Sequence, residues 1–201
     1  MDLLLSIFSA FGLSASAGLN AYIPLLVVGV MAHYTDWIKL NPPYDTLASP
    51  WILILIGFLL IIEMLADKIP AVNHLNDAIQ TFVRPVAGAI AFAASAKVVT
   101  GLSPVLALAC GLLVAGGVHL VKAGAVRPMI TATTGGAGNV PVSLTEDAVS
   151  AGTSFLAIVA PLAIVGLLIV LTMFLTWLWA RPRETPIPAE QGTADRPSKA
   201  V

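Results

Sequence analysis

The stretch LLLSIFSAFGLSASAGLNAYIPLLVVGVMA, Leu3 to Ala32, runs for thirty residues without a charge. As one straight helix it would extend about 45 Å against a hydrocarbon core of about 30 Å, which makes it membrane material but too long for one simple span. Gly18, Asn20 and Pro24 lie in its middle. Glycine loosens a helix and proline removes a backbone donor, so a kink or a true break is expected there. Inside a membrane such a break survives only where protein or a water-filled cavity satisfies the freed backbone groups.

The rest of the chain has the same character. Of 201 residues, 58% are hydrophobic and 10% charged, and the mean hydropathy is +0.92, whereas soluble domains carry about 25% charged residues. Ten basic against eleven acidic side chains give a formal charge of -1, so there is no electrostatic footprint for nucleic acid. Partners are expected in or beside the bilayer, membrane lipids first. The single cysteine, Cys110, sits in an apolar run and reads as a small buried hydrophobe. Ala15-Ser16-Ala17 resembles a signal cleavage site, but only Asp2 precedes the run where a basic leader belongs, so an uncleaved first segment is expected.

Moving outward, Tyr34, Trp37, Tyr44 and Trp51 surround the turn formers Asn41-Pro42-Pro43 and mark an interfacial loop. A second span covers Trp51 to Ala66, uncharged until Glu63, and Asp67 and Lys68 close it. Between Pro70 and Pro85 the apolar Val72, Leu75, Ile79 and Phe82 recur at helical spacing, opposite Asn73, Asp77, Gln80 and Arg84. This predicts an amphipathic helix at the membrane surface with its polar face in water. A third span from Val86 to Val99 and a fourth from Val105 to Val121, joined by Thr100-Gly101-Leu102-Ser103-Pro104, predict a hairpin. Ala87, Ala91 and Ser95 on one helix and Ala107, Gly111 and Ala115 on the other give each a narrow groove, for packing within the chain or on a second copy. A last span runs from Ala148 to Ala180 with a kink at Pro161, and residues 181-201, proline-rich with scattered charges, are expected to be disordered. The predicted architecture is all-α: one multi-pass transmembrane domain over residues 1-180 with about five transmembrane helices, the first kinked or broken.

If each run crosses once, connections alternate sides. The aromatic rings then share one face with Lys39, Lys97, Arg181 and Arg183, and Lys68, Arg84, Lys122 and Arg127 share the other, so the positive-inside rule decides little. Arg196 and Lys199 tip the tail toward the cytoplasm. The same alternation brings the second and fourth connections together on one side. Glu63, Asp67, Lys68, His74, Asp77, Arg84, His119, Lys122, Arg127, Glu146 and Asp147 can then converge. Ionisable groups at membrane depth are costly and line pathways or sites, so a polar cavity opening to one face is expected. A re-entrant first run would change the sidedness but not the convergence.

The fourth connection carries Thr131-Ala-Thr-Thr134-Gly135-Gly136-Ala-Gly-Asn139-Val-Pro141-Val-Ser143-Leu-Thr-Glu146-Asp147, the most polar stretch between apolar runs. Its glycines let backbone approach a ligand closely, and it is expected to be the heart of the site, a glycine-rich loop with re-entrant character as an option. Ser143 and Glu146 fit a Ser-x-x-Glu capping box that begins a helix. No Gly-Lys-Ser/Thr follows, so it is no phosphate loop, and a phosphate would need Arg84, Lys122 or Arg127 as well. Five carboxylates beside threonine hydroxyls suit a proton or a hard cation better. The histidines lack metal-ligand spacing, hydrolase nucleophile motifs are absent, and no cofactor is expected. Val83-Arg84-Pro85 and Val126-Arg127-Pro128 repeat, each after a His-Leu pair, and Ala17 to Pro24 echoes Gly136-Ala137-Gly138-Asn139-Val140-Pro141; transporters are often built from such repeats, with broken helices at the binding site.

Several pieces resemble a family of small uncharacterised bacterial membrane proteins known as domain of unknown function number 4126: Ser16-Ala-Gly-Leu-Asn20-Ala-Tyr-Ile-Pro24, Glu63 to Pro70, Val83-Arg84-Pro85, and Thr134-Gly-Gly-Ala-Gly-Asn139 through Glu146-Asp147. The resemblance covers Leu3 to Ala180. It implies a bacterial inner-membrane location and supplies no substrate or catalytic residue. Three functions follow from the residues. The first is a small-solute or ion transporter or channel, homo-oligomeric and with proton coupling through Glu63 and Asp67. The second is an enzyme or binder for a phosphorylated lipid headgroup, and the third a structural membrane scaffold. The pathway residues expected are Asn20, Glu63, Asp67, Lys68, Asp77, Arg84, Lys122, Arg127, Thr134, Gly135, Gly136, Asn139, Glu146 and Asp147.

Overall fold

A computed structural model describes residues 2–68, 70–95 and 103–180, and every element among them is helical. In chain order these are α1 (Asp2–Leu19), α2 (Tyr22–Tyr34), α3 (Pro50–Ala66), α4 (Pro70–Ala94), α5 (Pro104–Val121), α6 (Arg127–Thr134), α7 (Asn139–Val159) and α8 (Pro161–Ala180). The expected tail, and the turn at Gly101-Leu102, lie outside the described residues. Two continuous helical stretches, Pro104–Thr134 and Asn139–Val159, are long and apolar enough to cross a membrane.

The first run is broken, not kinked. α1 ends at Leu19 and α2 starts at Tyr22. Asn20 makes the break: its Oδ1 accepts the N–H groups of Tyr22 (3.0 Å) and Ile23 (3.1 Å), and its own N–H reaches the Ser16 carbonyl at 3.1 Å. Pro24 has no N–H, so one orphan donor of the new helix is removed at source. α2 then turns back instead of continuing. Tyr22 and Leu25 share a groove with Val83, Val86, Ala87 and Ile90 of α4, and the short 3-10 turn after α2 sets Tyr44 against the cluster of Ala10, Phe92, Ala93 and Ala107. The run is therefore a hairpin with Asn20 at its apex, and a sidedness counted from one crossing does not apply to it.

α1 is the central helix. Ala10, Leu13, Ser14, Ser16 and Ala17 are fully buried, because α4, α5 and α7 pack around it. The small-residue stripes are used inside the chain, where Ala87, Ala91, Ser95, Ala107 and Ala115 are all buried at the α4–α5 crossing. There a Cβ on Gly111 would stand 2.5 Å from the Gly88 carbonyl oxygen. These stripes are used within the monomer.

The predicted surface helix and third span are one helix, α4, which runs through Pro85. Its polar row faces inward: Asn76, Gln80 and Arg84 are buried, while Leu75, Ile79, Phe82 and Val86 face out. The periodicity is the expected one and the orientation is the reverse of the expected one, because the polar row meets charged partners from other helices inside the bundle. Further along, the helix of α5 continues through a π-helical turn at Lys122–Val126 into α6. The widened turn precedes Pro128, which cannot donate to the ladder. The Thr131 to Thr134 segment is thus helical, and the glycine-rich stretch shrinks to a tight turn at Gly135 (φ 62°) and Gly136 (φ 92°), conformations that glycine adopts without a steric penalty. Ser143 is no cap, since α7 begins at Asn139. The last run breaks at Ala160, whose N–H still reaches the Leu156 carbonyl at 2.8 Å.

Candidate functional site

Ionisable side chains from five helices and the α3–α4 turn meet at the end of the bundle where α1 breaks. α3 presents Glu63 and, at its end, Asp67; α4 presents Asp77 and Arg84; α5 presents His119, and the π turn Lys122; α6 contributes Arg127 and α7 Glu146. Glu63, Arg84 and His119 are at most 2% exposed. Arg84 Nη2 donates to Glu63 Oε1 at 2.9 Å, and its Nη1 lies 3.2 Å from His119 Nδ1. His119 Nε2 stands 3.2 Å from Thr81 Oγ1, which donates to the Asp77 carbonyl at 2.8 Å.

A second knot surrounds Asp67. Arg127 Nη2 meets its Oδ2 at 2.9 Å while Nη1 meets Asp77 Oδ2 at 3.2 Å. Ser143 Oγ donates to the same Asp67 oxygen at 3.0 Å, and Asn76 Nδ2 to the other at 2.7 Å. Burial alone would push the Asp67 carboxyl up, but Arg127 beside it, with Lys122 and Arg84 and the Ser143 hydroxyl, holds it below the usual carboxylate range. A third knot joins Lys122 Nζ to Glu146 Oε2 at 2.6 Å and to the Leu19 carbonyl at 2.9 Å. Lys122 thereby satisfies an orphan acceptor at the C-terminus of α1, where a positive charge also favours the helix dipole.

Asp147 stands apart from these pairs. It is 8% exposed, and its Oδ1 accepts from Asn20 Nδ2 at 2.9 Å. Glu63, Asp67, Asp77 and Glu146 each touch a basic side chain; among the described residues Asp147 touches none. Above it on the same face of α7, Ser150 and Ser154 meet Ser16 of α1, hydroxyl to hydroxyl, at 2.8 and 2.6 Å.

The structure gathers Glu63, Asp67, Asp77, Arg84, His119, Lys122, Arg127, Glu146 and Asp147, which the alternation of connections puts on one side, and adds Asn20, which it does not. Lys68 is half-buried and enters none of the ion pairs. The side chain of His74 lies outside the described residues. Thr134, Gly135, Gly136 and Asn139 are not in the cluster. They form the exposed to half-buried turn at its edge, with Asn139 Nδ2 bonded to Thr131 Oγ1 at 3.0 Å and the Gly138 N–H to Thr134 Oγ1 at 3.0 Å. The heart of the site is thus the helix ends around this turn, not its glycines.

Sequence reasoning passed over Asn76, Thr81, Ser16, Ser150 and Ser154. The signal for the serines was present, since Ser143, Asp147, Ser150 and Ser154 recur at spacings of four, three and four on one face of an apolar helix. Among the described residues, no group of three His, Cys, Asp or Glu side chains is arranged to hold a metal ion.

No curated protein and no solved structure matches this chain. One protein family does, over residues 7–181, an extent that takes in the broken helix, the whole charged cluster and the turn beside it. The chain belongs to that family, which is described as domain of unknown function DUF4126.

Proposed function

We propose that the protein is a multi-pass bacterial inner-membrane protein that moves protons, or a small solute or ion coupled to them, and that Asp147 carries the proton. Membrane residence is supported by an inside-out distribution of polarity. Arg84, Glu63 and Lys122 are buried, whereas Trp51, Phe82, Val105, Leu113 and Phe58 are each at least 60% exposed. In water that arrangement would be prohibitive, and in hydrocarbon it is the expected one. The single observation that carries the functional reading is Asp147: a buried carboxyl with an amide partner, no basic partner among the described residues and a place at a helix break. Discontinuous helices are where transporters bind their coupling ions. Asp67, by contrast, has both oxygens engaged by donors and is suited to holding helices in place.

Purified protein in liposomes with an internal pH-sensitive dye tests this. Wild type dissipates an imposed pH gradient, alone or with a solute from a broad panel, and Asp147→Asn, isosteric and still monodisperse, does not. No flux under any condition sinks the reading. The headgroup reading needs basic side chains free to meet phosphate, and Arg84, Lys122 and Arg127 are instead buried against carboxylates. The scaffold reading has one observation in its favour, that the ion pairs bridge different helices or their ends. Charge-reversed pairs, such as Glu63→Arg with Arg84→Glu, that keep the fold and leave Asp147-dependent flux absent from the outset would support it.

A further inference from the structure

Asn20 serves two helices with one side-chain amide. Its Oδ1 accepts the N–H groups of Tyr22 at 3.0 Å and Ile23 at 3.1 Å, which start α2, and its Nδ2 donates to Asp147 Oδ1 on α7 at 2.9 Å. The two backbone donors fix which way the amide points, because only its oxygen can accept them. Asn20 is buried, and what it turns toward Asp147 is a donor.

That restriction decides how Asp147 takes up a proton. When the carboxyl is ionised both oxygens accept; when it is protonated one becomes a hydroxyl and the other a carbonyl oxygen, the better acceptor. Facing an N–H, Oδ1 stays the carbonyl oxygen and Oδ2 receives the proton. The bond changes as well, since an N–H given to a carboxylate is roughly twice as strong as one given to a neutral carbonyl. Protonation therefore weakens the tie between α7 and the amide that holds the α1–α2 break. The adjacent Glu146 ties the same break by a second route, through Lys122 Nζ, which it meets at 2.6 Å and which donates to the Leu19 carbonyl at 2.9 Å. The charges that act on Asp147 through space are Lys122 from the π turn and, beyond the end of α3, Asp67 and Lys68.

We infer that Asn20 is the positioning residue of the proton site: it holds Asp147 with Oδ1 as acceptor, directs the proton to Oδ2 and passes the charge state of Asp147 to the start of α2. This rests on the reading that Asp147 gains and loses a proton. A residue that merely closed the helix break would be indifferent to that charge.

Infrared spectra and hydrogen exchange of the full-length protein in lipid nanodiscs test it. Asn20→Ser keeps an oxygen able to cap α2 and removes the amide donor. In acid, the carboxylic C=O stretch that Asp147→Asn abolishes is expected at higher frequency in Asn20→Ser than in wild type, because the bond to its oxygen is gone; an unmoved band overturns the assignment. At alkaline pH, Asp147→Asn leaves only a neutral acceptor and is expected to speed amide exchange at Tyr22 and Ile23 by about fivefold, the worth of a charge-assisted bond over a neutral one. The same substitution in the Asn20→Ser background is expected to change nothing there, and equal speeding in both backgrounds overturns the coupling. Should Asn20→Ser fail to fold, nitrogen-15 NMR of the Asn20 side chain decides. A signal that moves on acidification in wild type and stays still in Asp147→Asn supports the inference, and one that behaves alike in both overturns it. Flux without coupling overturns this inference alone, whereas coupling without flux supports it and overturns transport alone.

Discussion

His119 has its proton placed by its neighbours. A guanidinium can only donate, so the 3.2 Å contact from Arg84 Nη1 makes Nδ1 of the ring an acceptor. The ring proton is then on Nε2 and points to Thr81 Oγ1, whose own proton is given to the Asp77 carbonyl. Nitrogen-15 NMR should find His119 as the neutral Nε2–H tautomer at neutral pH, and a doubly protonated ring there would contradict the network. His119→Leu leaves a buried arginine N–H without an acceptor and should cost about 1–3 kcal/mol in chemical unfolding. Asp67 makes a second prediction at this scale. Its folded-state pKa lies below the ordinary value of 3.8, so the unfolded chain binds the proton first as pH falls. The stability it contributes is complete above that ordinary value and is lost as pH drops through the lowered one. The gap in unfolding midpoint between wild type and Asp67→Asn should close on acidification, and a gap that widens would refute the sign.

At the scale of elements, two features hold the helices in register. The α4–α5 crossing is so close that Gly111→Ala would press a methyl to 2.5 Å from the Gly88 carbonyl oxygen, and backbone cannot yield as a side chain does. Overpacking of this kind costs about 1–3 kcal/mol, whereas Gly117→Ala, which meets nothing within 4 Å, should be neutral or slightly stabilising. Thermal unfolding of the two variants in one detergent separates them. The other feature is the α1–α2 break. Asn20→Ala removes the acceptor for two N–H groups and the amide bound to Asp147. The lost cap alone should cost about 0.5–2 kcal/mol, and protease should then cut near residue 20 faster than in wild type.

For the whole molecule the decisive fact is that charge is inside and hydrocarbon outside. Leu113, 71% exposed in the middle of α5, is predicted to face lipid. Leu113→Lys should therefore lower the carbonate-resistant membrane fraction, at a cost of about 2.5–3.5 kcal/mol for a charge at mid-span. A substitution that leaves membrane retention unchanged would place this face against something other than lipid. The buried pairs oppose that outer surface: opening one leaves an uncompensated charge in the bundle, which costs about 3–5 kcal/mol.

The amino-acid sequence by itself determined the all-helical class, the family, the positions of the breaks and the convergence of most ionisable groups. Those follow from hydropathy, from proline and glycine, and from the alternation of connections, all of which act locally or by counting. Only the tertiary structure decided what the polar groups face. The row Gln80, Arg84 on α4 has the same period whether it looks to water or to a bundle interior, and periodicity carries no sign. Likewise the polar turn at Gly135-Gly136 and the serines of α7 differ little in composition. The turn lies at the edge because left-handed glycines reverse the chain there, and Ser143 and Asp147 lie inside because that face of α7 meets Asp67 at the end of α3 and Asn20 at the end of α1. Which carboxylate keeps a cation and which does not depends on distances between helices far apart in sequence, and so Asp147 is singled out by the fold alone.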